Sequence, residues 1–393
     1  MRNKLGLNTH ENSIRLQKYL LRYGHGLLGS HYDNTKKRHG ATTMTVIVFG
    51  GGGFIGSHVT ERLLNRGENV TVVDVDTEKI DNLRDGDLLT VHELDIRNKK
   101  NESTCRDLIE EADVVFDLIA YANPQQYVDR PIDVVELNLF ENLKIVEYCI
   151  EANTRLIQFS TCEVYGKMGN RSEVEFCEGE SDLILGPIKN QRWIYSNAKQ
   201  LLERMVYAYG DDGDLRYTIV RPFNFIGAKM DYIIESPDEG TPRVFASFMS
   251  SLLYNHPMFL VNGGTNQRAF TAIEDAVDAI ELLYENPEGE FDNEIVNIGT
   301  PENEATIAEL ARIMRDIYQN HSTSGTLPDL VEVSGEEFYG EGYDDCERRV
   351  PSIEKLTSMG WSPEYGLRET LERAMDYYIR EYEGVQTPLN SDD

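Results

Sequence analysis

An α/β fold, a doubly wound parallel sheet followed by a smaller C-terminal α/β domain, is what this chain of 393 residues predicts. Three observations carry that expectation. From Met44 onward, short β-branched runs alternate with amphipathic helical stretches. The first such run leads straight into a glycine cluster. After Arg221 the alternation gives way to isolated helices separated by loops containing Gly and Pro. Alternating strands and helices make successive strands parallel, with helices on both faces.

The strands are read at 45–49, 69–73, 88–93, 114–118, 155–159 and 217–220, each a compact run rich in Val, Ile, Leu, Phe or Thr. Amphipathic stretches at 56–65, 131–151 and 195–209 read as the covering helices. Beyond them, helices are expected at 244–253, 274–284, 307–318 and 367–382, with loops at 236–242, 263–267 and 335–343. The first domain is placed at 44–220. The second, at 221–382, is expected to close over the carboxyl edge of the sheet, where open α/β folds bind ligands. Residues 1–43 are polar and basic, lack the apolar stretch of a secretory signal, and read as a flexible extension. The tail from 383 to 393 reads as frayed.

Composition narrows the function. No apolar run reaches the roughly 18–20 residues that span a bilayer. A formal charge of −30 repels nucleic acid and anionic membranes, so neither is expected as a partner. The basic residues are 25 Arg and 13 Lys, and low Lys beside abundant acid suits a salt-rich cytoplasm. The five cysteines, Cys105, Cys149, Cys162, Cys177 and Cys346, are scattered without a C-x-x-C pair. That argues against a disulfide framework or a zinc site and for a reducing cytoplasm, and no metal is expected. An anionic substrate would need arginines gathered into a locally positive pocket.

The strand at 45–49 runs into Gly50-Gly51-Gly52-Gly53-Phe54-Ile55-Gly56 and then a helix. Gly50, Gly53 and Gly56 keep a G-x-x-G-x-x-G spacing, which lets a pyrophosphate approach the amides at the helix N-terminus. Asp74 ends the second strand about 20 residues on, where a carboxylate takes the ribose hydroxyls and repels a 2′-phosphate. The fold is therefore expected to be Rossmann-type and the cofactor NAD rather than NADP. Asp95 and Ile96, at the end of the third strand, are expected beside the adenine.

Tyr195 and Lys199 form a Y-x-x-x-K pair, and positions i and i+4 share one helix face. The ammonium is expected beside the phenol, lowering its pKa from about 10 so that it can take a hydroxyl proton during hydride transfer. Upstream, the fifth strand ends in Ser160-Thr161-Cys162-Glu163-Val164-Tyr165-Gly166.

Together with Arg221-Pro222-Phe223-Asn224, these motifs resemble the extended short-chain dehydrogenases/reductases (the NAD-dependent epimerase/dehydratase family) that act on nucleotide sugars. Within that family the chain is most similar to the group holding the UDP-glucuronate decarboxylase domain of the bifunctional polymyxin-resistance enzyme and the UDP-apiose/UDP-xylose synthases. The resemblance runs from Met44 to about Tyr382. It includes Arg192-Trp193-Ile194-Tyr195-Ser196, the run from Asn297 to Ala305, and Tyr343-Asp344-Asp345-Cys346-Glu347-Arg348-Arg349.

The resemblance implies oxidation of UDP-glucuronate at C4 by NAD, then decarboxylation to a UDP-4-keto-pentose or UDP-pentose. It implies that Thr161 and Tyr195 contact the C4 oxygen. Glu163 and Arg349 act around the carboxylate and the decarboxylating carbon, Cys162 is a catalytic position where the apiose-forming synthase has Cys and the polymyxin-resistance decarboxylase has Ser, and Asn224, Arg243, Arg268 and Tyr343 hold the nucleotide. Ala120 begins a loop along the cofactor, and the helices at 131–151 and 195–209 form a homodimer interface. Beside a substrate carboxylate, Glu163 is expected to have a raised pKa. Ala122 stands where the apiose-forming synthase has its second active-site cysteine, and Phe259 where near relatives have a nucleotide-binding lysine. Two other readings remain open: a 4-epimerase of a UDP-sugar or UDP-uronic acid, and an inactive NAD-binding regulatory protein.

Overall fold

A computed structural model describes residues 43–167, 175–236, 240, 242–286, 288–321, 327–340 and 343–382. The extension expected at 1–43 and the tail expected at 383–393 lie outside the described residues, save Thr43.

The chain opens with β1 (Thr45–Phe49), α1 (Phe54–Asn65), β2 (Asn69–Asp74), β3 (Leu89–Glu93), α2 (Glu102–Glu110) and β4 (Val114–Asp117). It continues through α3 (Asn142–Ala152), β5 (Arg155–Phe159), α4 (Ile194–Asp211) and β6 (Tyr217–Pro222). Beyond these come α5 (Val244–Tyr254), β7 (Met258–Val261), β8 (Gln267–Ala269), α6 (Ile273–Glu285), β9 (Glu294–Ile298), β10 (Glu304–Thr306), α7 (Ile307–His321), β11 (Leu330–Val333), β12 (Arg348–Arg349) and α8 (Leu367–Glu381).

Seven strands form one parallel sheet in the order β9-β6-β5-β4-β1-β2-β3. Its two faces carry separate cores, and β1 shows why. Val46 and Val48 enter the core shared with α1 and α6, while Ile47 and Phe49 enter the core shared with α2, α3 and α4. Side chains alternate across a strand, so a strand covered on both faces must be apolar throughout.

Three differences from the sequence reading matter for the site. First, β9 completes the sheet from far down the chain, within a stretch read as loops between helices, because its five residues carry polar ends at Glu294 and Asn297. Second, the single helix expected over 131–151 is three pieces: α-helix Pro131–Val135, a π-helical turn Glu136–Glu141, and α3. A π-turn inserts a residue without breaking the apolar stripe, so periodicity does not reveal it. It turns Asn142 inward, where it is fully buried. Third, a small sheet in the order β10-β8-β12 forms in the later part of the chain. Its register sets Arg349 beside Arg268 and Arg348 beside Gln267.

Candidate active site

The carboxyl ends of β1, β4, β5 and β6 face a cleft of about 300 Å³. Of the expected site residues, Phe54, Ile55, Thr161, Cys162, Glu163, Tyr195, Asn224, Arg243, Arg268, Tyr343 and Arg349 line it. Gly50, Gly53, Gly56, Asp74, Asp95, Ile96, Ala120 and Lys199 do not line this cleft.

The glycine loop is shaped by close approach. Gly50 has φ +80°, a region open to glycine, and a Cβ on Gly56 would collide with the Gly50 carbonyl oxygen. A Cβ on Gly53 would press on the same Gly50 oxygen at 3.2 Å, a milder crowding. No side chain caps α1 and no acid stands in its first turn, which leaves a helix N-terminus fit for a diphosphate. Asp74 accepts from the Gly52 N–H at 2.9 Å and the Val75 N–H at 2.7 Å. Burial raises its pKa against those bonds. Asp95 lies next to it, since the Leu94 N–H donates to the Asp74 carbonyl at 2.8 Å, but its carboxylate is taken up by Arg97 at 2.7 Å. The residues present thus fit an adenine dinucleotide.

Tyr195, near the start of α4, is buried with its ring stacked on Tyr127 at 4.7 Å, and Ala120 packs against the pair. Lys199, one turn on, does not donate to the phenol as expected. Its Nζ donates to the Phe159 carbonyl at 3.0 Å and to Asn142 Oδ1 at 3.3 Å. Burial, then the charge of Glu163, push the Tyr195 phenol above its ordinary value, partly countered by a hydrogen bond with Thr161. The depression expected from sequence is therefore absent here: the ammonium is spent on β5, and the nicotinamide's positive charge enters only with the cofactor.

Glu163 also differs from expectation. Its two oxygens receive Arg192 Nη1 at 2.6 Å and Nη2 at 2.8 Å. Burial alone would raise its pKa, but Arg192 and then Arg349 outweigh it, and the group sits below the ordinary value. The repulsion expected from a substrate carboxylate is preceded by an attraction that sequence spacing does not reveal. Cys162 is buried, with Arg349 Nη1 3.9 Å from its Sγ. Burial pushes this thiol up despite Arg349, so it stays neutral.

Around Glu163 a charge cluster assembles. Arg268 donates to Asp345 Oδ2 at 2.7 Å. Arg349 stands 3.5 Å from Asp345 Oδ1 and 3.7 Å from Glu163 Oε1. Arg192 lies 3.7 Å from Asp345 Oδ1. Burial works against the Asp345 carboxylate, yet Arg268, Arg192 and Arg349 together hold its pKa far below the usual range. Tyr343 donates to Asp345 Oδ2 at 3.3 Å and stacks on Tyr339 at 4.2 Å. Three buried guanidiniums thus face two carboxylates, leaving one positive charge in excess. Nε and Nη2 of Arg349 and Nε of Arg192 are buried without a hydrogen-bond partner among the described residues.

Strand alternation separates the two adjacent arginines of β12. Arg349 turns into the cluster, while Arg348 pairs with Glu304 at 2.7 and 2.8 Å. Arg243 is held by Asp231 at 3.1 Å and lies over the Phe54 ring at 5.6 Å. Asn224 donates to the Ala269 carbonyl at 2.9 Å. Phe259 lines the far end of the cleft with Phe338, 5.8 Å away.

A family model decides the assignment: the NAD dependent epimerase/dehydratase family matches residues 46–299. The chain belongs to that family. It is an NAD-dependent enzyme of nucleotide-sugar metabolism, and its seven-stranded sheet is the fold of that group. It is 42% identical to the UDP-D-apiose/UDP-D-xylose synthase of Oryza sativa subsp. japonica, over 86% of this chain and 90% of that protein. The PbgP3 protein from Burkholderia pseudomallei is 31% identical with a TM-score of 0.77, over 88% of this chain and 99% of that one. The UDP-glucose 4-epimerase of Thermus thermophilus, solved in complex with NAD, is 25% identical with a TM-score of 0.70, over 87% of this chain and 99% of that one.

Sequence reasoning missed Arg192, Asp345 and Tyr127 as site residues. Arg192 and Asp345 stood inside stretches quoted for the resemblance, and a buried aromatic such as Tyr127 leaves no signal of its own. Among the described residues no helix is long and apolar enough to cross a membrane.

Proposed function

We propose that this enzyme oxidises UDP-glucuronate at C4 and then decarboxylates it, giving a UDP-4-keto-pentose or, after reduction, a UDP-pentose. The observation that carries this reading is the excess guanidinium charge beside Tyr195, Thr161 and Cys162. A buried positive charge with unpartnered N–H groups calls for an anion, and Arg349 offers a carboxylate a planar pair of donors. A neutral hexose would leave it unmatched. The high identity to UDP-apiose/UDP-xylose synthases supports the same substrate class.

The Gly50–Gly56 loop and Asp74 would hold NAD, which would supply the hydride acceptor for C4. Tyr195 takes the C4 hydroxyl proton, with Thr161 hydrogen-bonded to it. The resulting ketone lies β to the carboxylate, so the C5–C6 bond breaks with its electrons passing toward the C4 oxygen and carbon dioxide leaving. Thr161 and Tyr195 then hold the enolate oxygen. Arg349 orients the carboxylate, the neutral Cys162 thiol delivers a proton to C5, and the Glu163 carboxylate, kept ionised by Arg192 and Arg349, holds those guanidiniums around the substrate. Asn224, Arg243, Arg268 and Tyr343 hold the nucleotide. Gly50, Gly53, Phe54, Ile55, Gly56, Asp74, Asp95, Ile96, Ala120 and Lys199 form the cofactor side. The same reading places the NAD half at 44–220, completed by β9, and the nucleotide-sugar half at 221–382.

Ile132, Phe140, Leu201 and Tyr207 are exposed apolar side chains on the 131–152 and 194–211 segments, which supports a homodimer formed through them. A cytoplasmic location fits the five free thiols. Rates with UDP-glucuronate and UDP-glucose test the substrate. The uronate should be preferred by about a hundredfold or more in kcat/KM, the scale expected when a buried charge is left unpaired. Equal rates would remove the carboxylate from the argument.

A further inference from the structure

Beneath the tyrosine–lysine pair lies a buried acid that the reaction as described does not use. Asp117 ends β4 in the middle of the sheet and is fully buried. A strand covered on both faces ordinarily reads as an apolar run, and Val114-Val115-Phe116 does so until this carboxylate. Its register partner on β5 is Gln158, also fully buried, whose Nε2 donates to Asp117 Oδ2 at 2.9 Å. The Ile119 N–H donates to Oδ1 at 3.1 Å. The next residue of β5 is Phe159, and its carbonyl accepts the Lys199 ammonium at 3.0 Å. Carboxylate and ammonium therefore attach to neighbouring residues of the same strand, both sealed from water.

Neither has a nearer counter-ion. Among the described residues Asp117 and Lys199 make no ion pair within 4 Å, and Glu203, the other acid that Lys199 senses, is bound by Arg221 at 3.0 and 2.6 Å. An isolated charge in the interior is costly, whereas opposite charges in the same dry region offset one another. We propose that Asp117 is a positioning residue of the reaction: it keeps the Lys199 ammonium charged inside the protein, one helical turn from Tyr195 on the cofactor side of the site. The inference rests on the roles given above to Tyr195 and Lys199.

The surrounding groups agree in sign. Burial lowers the Lys199 pKa, and Asp117 is the first influence opposing it, Glu203 the second. Burial pushes Asp117 up to about 6, with Lys199 opposing, so the acid is ionised at neutral pH. On α3, Cys149 faces the carboxylate and is pushed up by burial and by Asp117, so it stays a neutral thiol. Asn142 and Gln158 are uncharged. Removing the Asp117 charge should lower the Lys199 midpoint. Once Lys199 is neutral, the cofactor side of the site loses its buried positive charge, so turnover falls as pH rises through that midpoint.

Asp117→Asn is the test, because the shape is kept and the buried Gln158 Oε1, now without a partner, can accept from the new amide. Lysine labelled with ¹³C at Cε in the full chain, with Lys199 assigned by its loss in Lys199→Arg, gives the midpoint directly. D117N should lower it by about one pH unit or more, and the high-pH limb, where turnover falls, should move down with it. An unmoved midpoint and limb would overturn the proposal. Tyr195→Phe separates the two levels. If it keeps full turnover, the underlying site assignment fails; if it is inactive while D117N matches the parent, only the role of Asp117 fails. Should D117N not fold, Gln158→Met frees the carboxylate to swing away and must move the midpoint in the same direction. An unmoved midpoint there also overturns the inference.

Discussion

The glycine loop leads into the head of α1, which lines the same cleft as Tyr195 and the guanidinium cluster around Asp345, but loop and cluster are built from different materials. The loop is backbone: amides, a left-handed glycine and one carboxylate that accepts an N–H from the loop itself. The cluster is side chain: three guanidiniums and two carboxylates brought from the turn after β5, the turn before α4, β8, the loop before β12 and β12 itself. A backbone cradle serves any ligand with a diphosphate, whereas a charge cluster with one positive charge in excess selects for an anion. The proposed function divides the labour accordingly, with the backbone loop on the cofactor side and the charge cluster on the substrate side.

Breaking each side should have distinct consequences. The largest effect is expected at the meeting point. Tyr195→Phe removes the base for the C4 hydroxyl, and NADH formation should fall by about a thousandfold or more. Residual activity near the parent would show that another group takes the proton. On the substrate side, Arg349→Ala should cut kcat/KM for UDP-glucuronate by about a hundredfold or more, because a charged, hydrogen-bonded partner is lost. Arg349→Lys should recover part of it, and Arg348→Ala should stay near the parent, its pair with Glu304 being partly exposed. Equal, mild losses from both alanine variants would dissolve the distinction that strand alternation draws.

Glu163→Gln should retain NAD affinity while turnover drops on the order of a hundredfold. Unchanged turnover would show that the Glu163 charge is not needed to hold the guanidiniums around the substrate. Asp74→Ala acts only on the cofactor side and should narrow the preference for NAD over NADP with little change in the affinity for UDP-glucuronate. Comparable NAD and NADP affinities in the parent would contradict that role.

The smallest effect concerns stability. Glu163 and Asp345 are both held below their ordinary values, so their contribution is complete above about pH 4.5 and is lost as pH falls through their lower folded values. Melting temperature should therefore drop more steeply below that point in the parent than in Asp345→Asn. Parallel curves would count against a stabilising cluster.

The same contrast governs what could be read from sequence. β1, α1 and the glycine loop were legible because their signals are local: a β-branched run, a spacing of three, a carboxylate at the next strand end. Arg349 and Glu163 were named through resemblance, but their linkage was not visible. Arg192 reaches Glu163 across 29 positions and Arg349 across 187 from Cys162, and no local pattern encodes such pairings. The π-turn before Asn142 escaped because it preserves the apolar stripe, and β9 because a short edge strand with polar ends resembles a loop. The expected Tyr195–Lys199 contact failed for a related reason: helical spacing gives the shared face, but the lysine terminus goes to the Phe159 carbonyl on β5 and Asn142 Oδ1 on α3.

The most direct test follows carbon six of the substrate. UDP-glucuronate labelled with ¹³C at C6 is incubated with the enzyme and NAD, and gas and nucleotide products are analysed together. Labelled carbon dioxide should appear in step with a nucleotide product lacking the carboxyl group, and the label should stay in solution with Tyr195→Phe. A labelled carboxylate retained in a 4-epimerised product, with no labelled gas, would contradict decarboxylation and make the enzyme an epimerase of uronic acids.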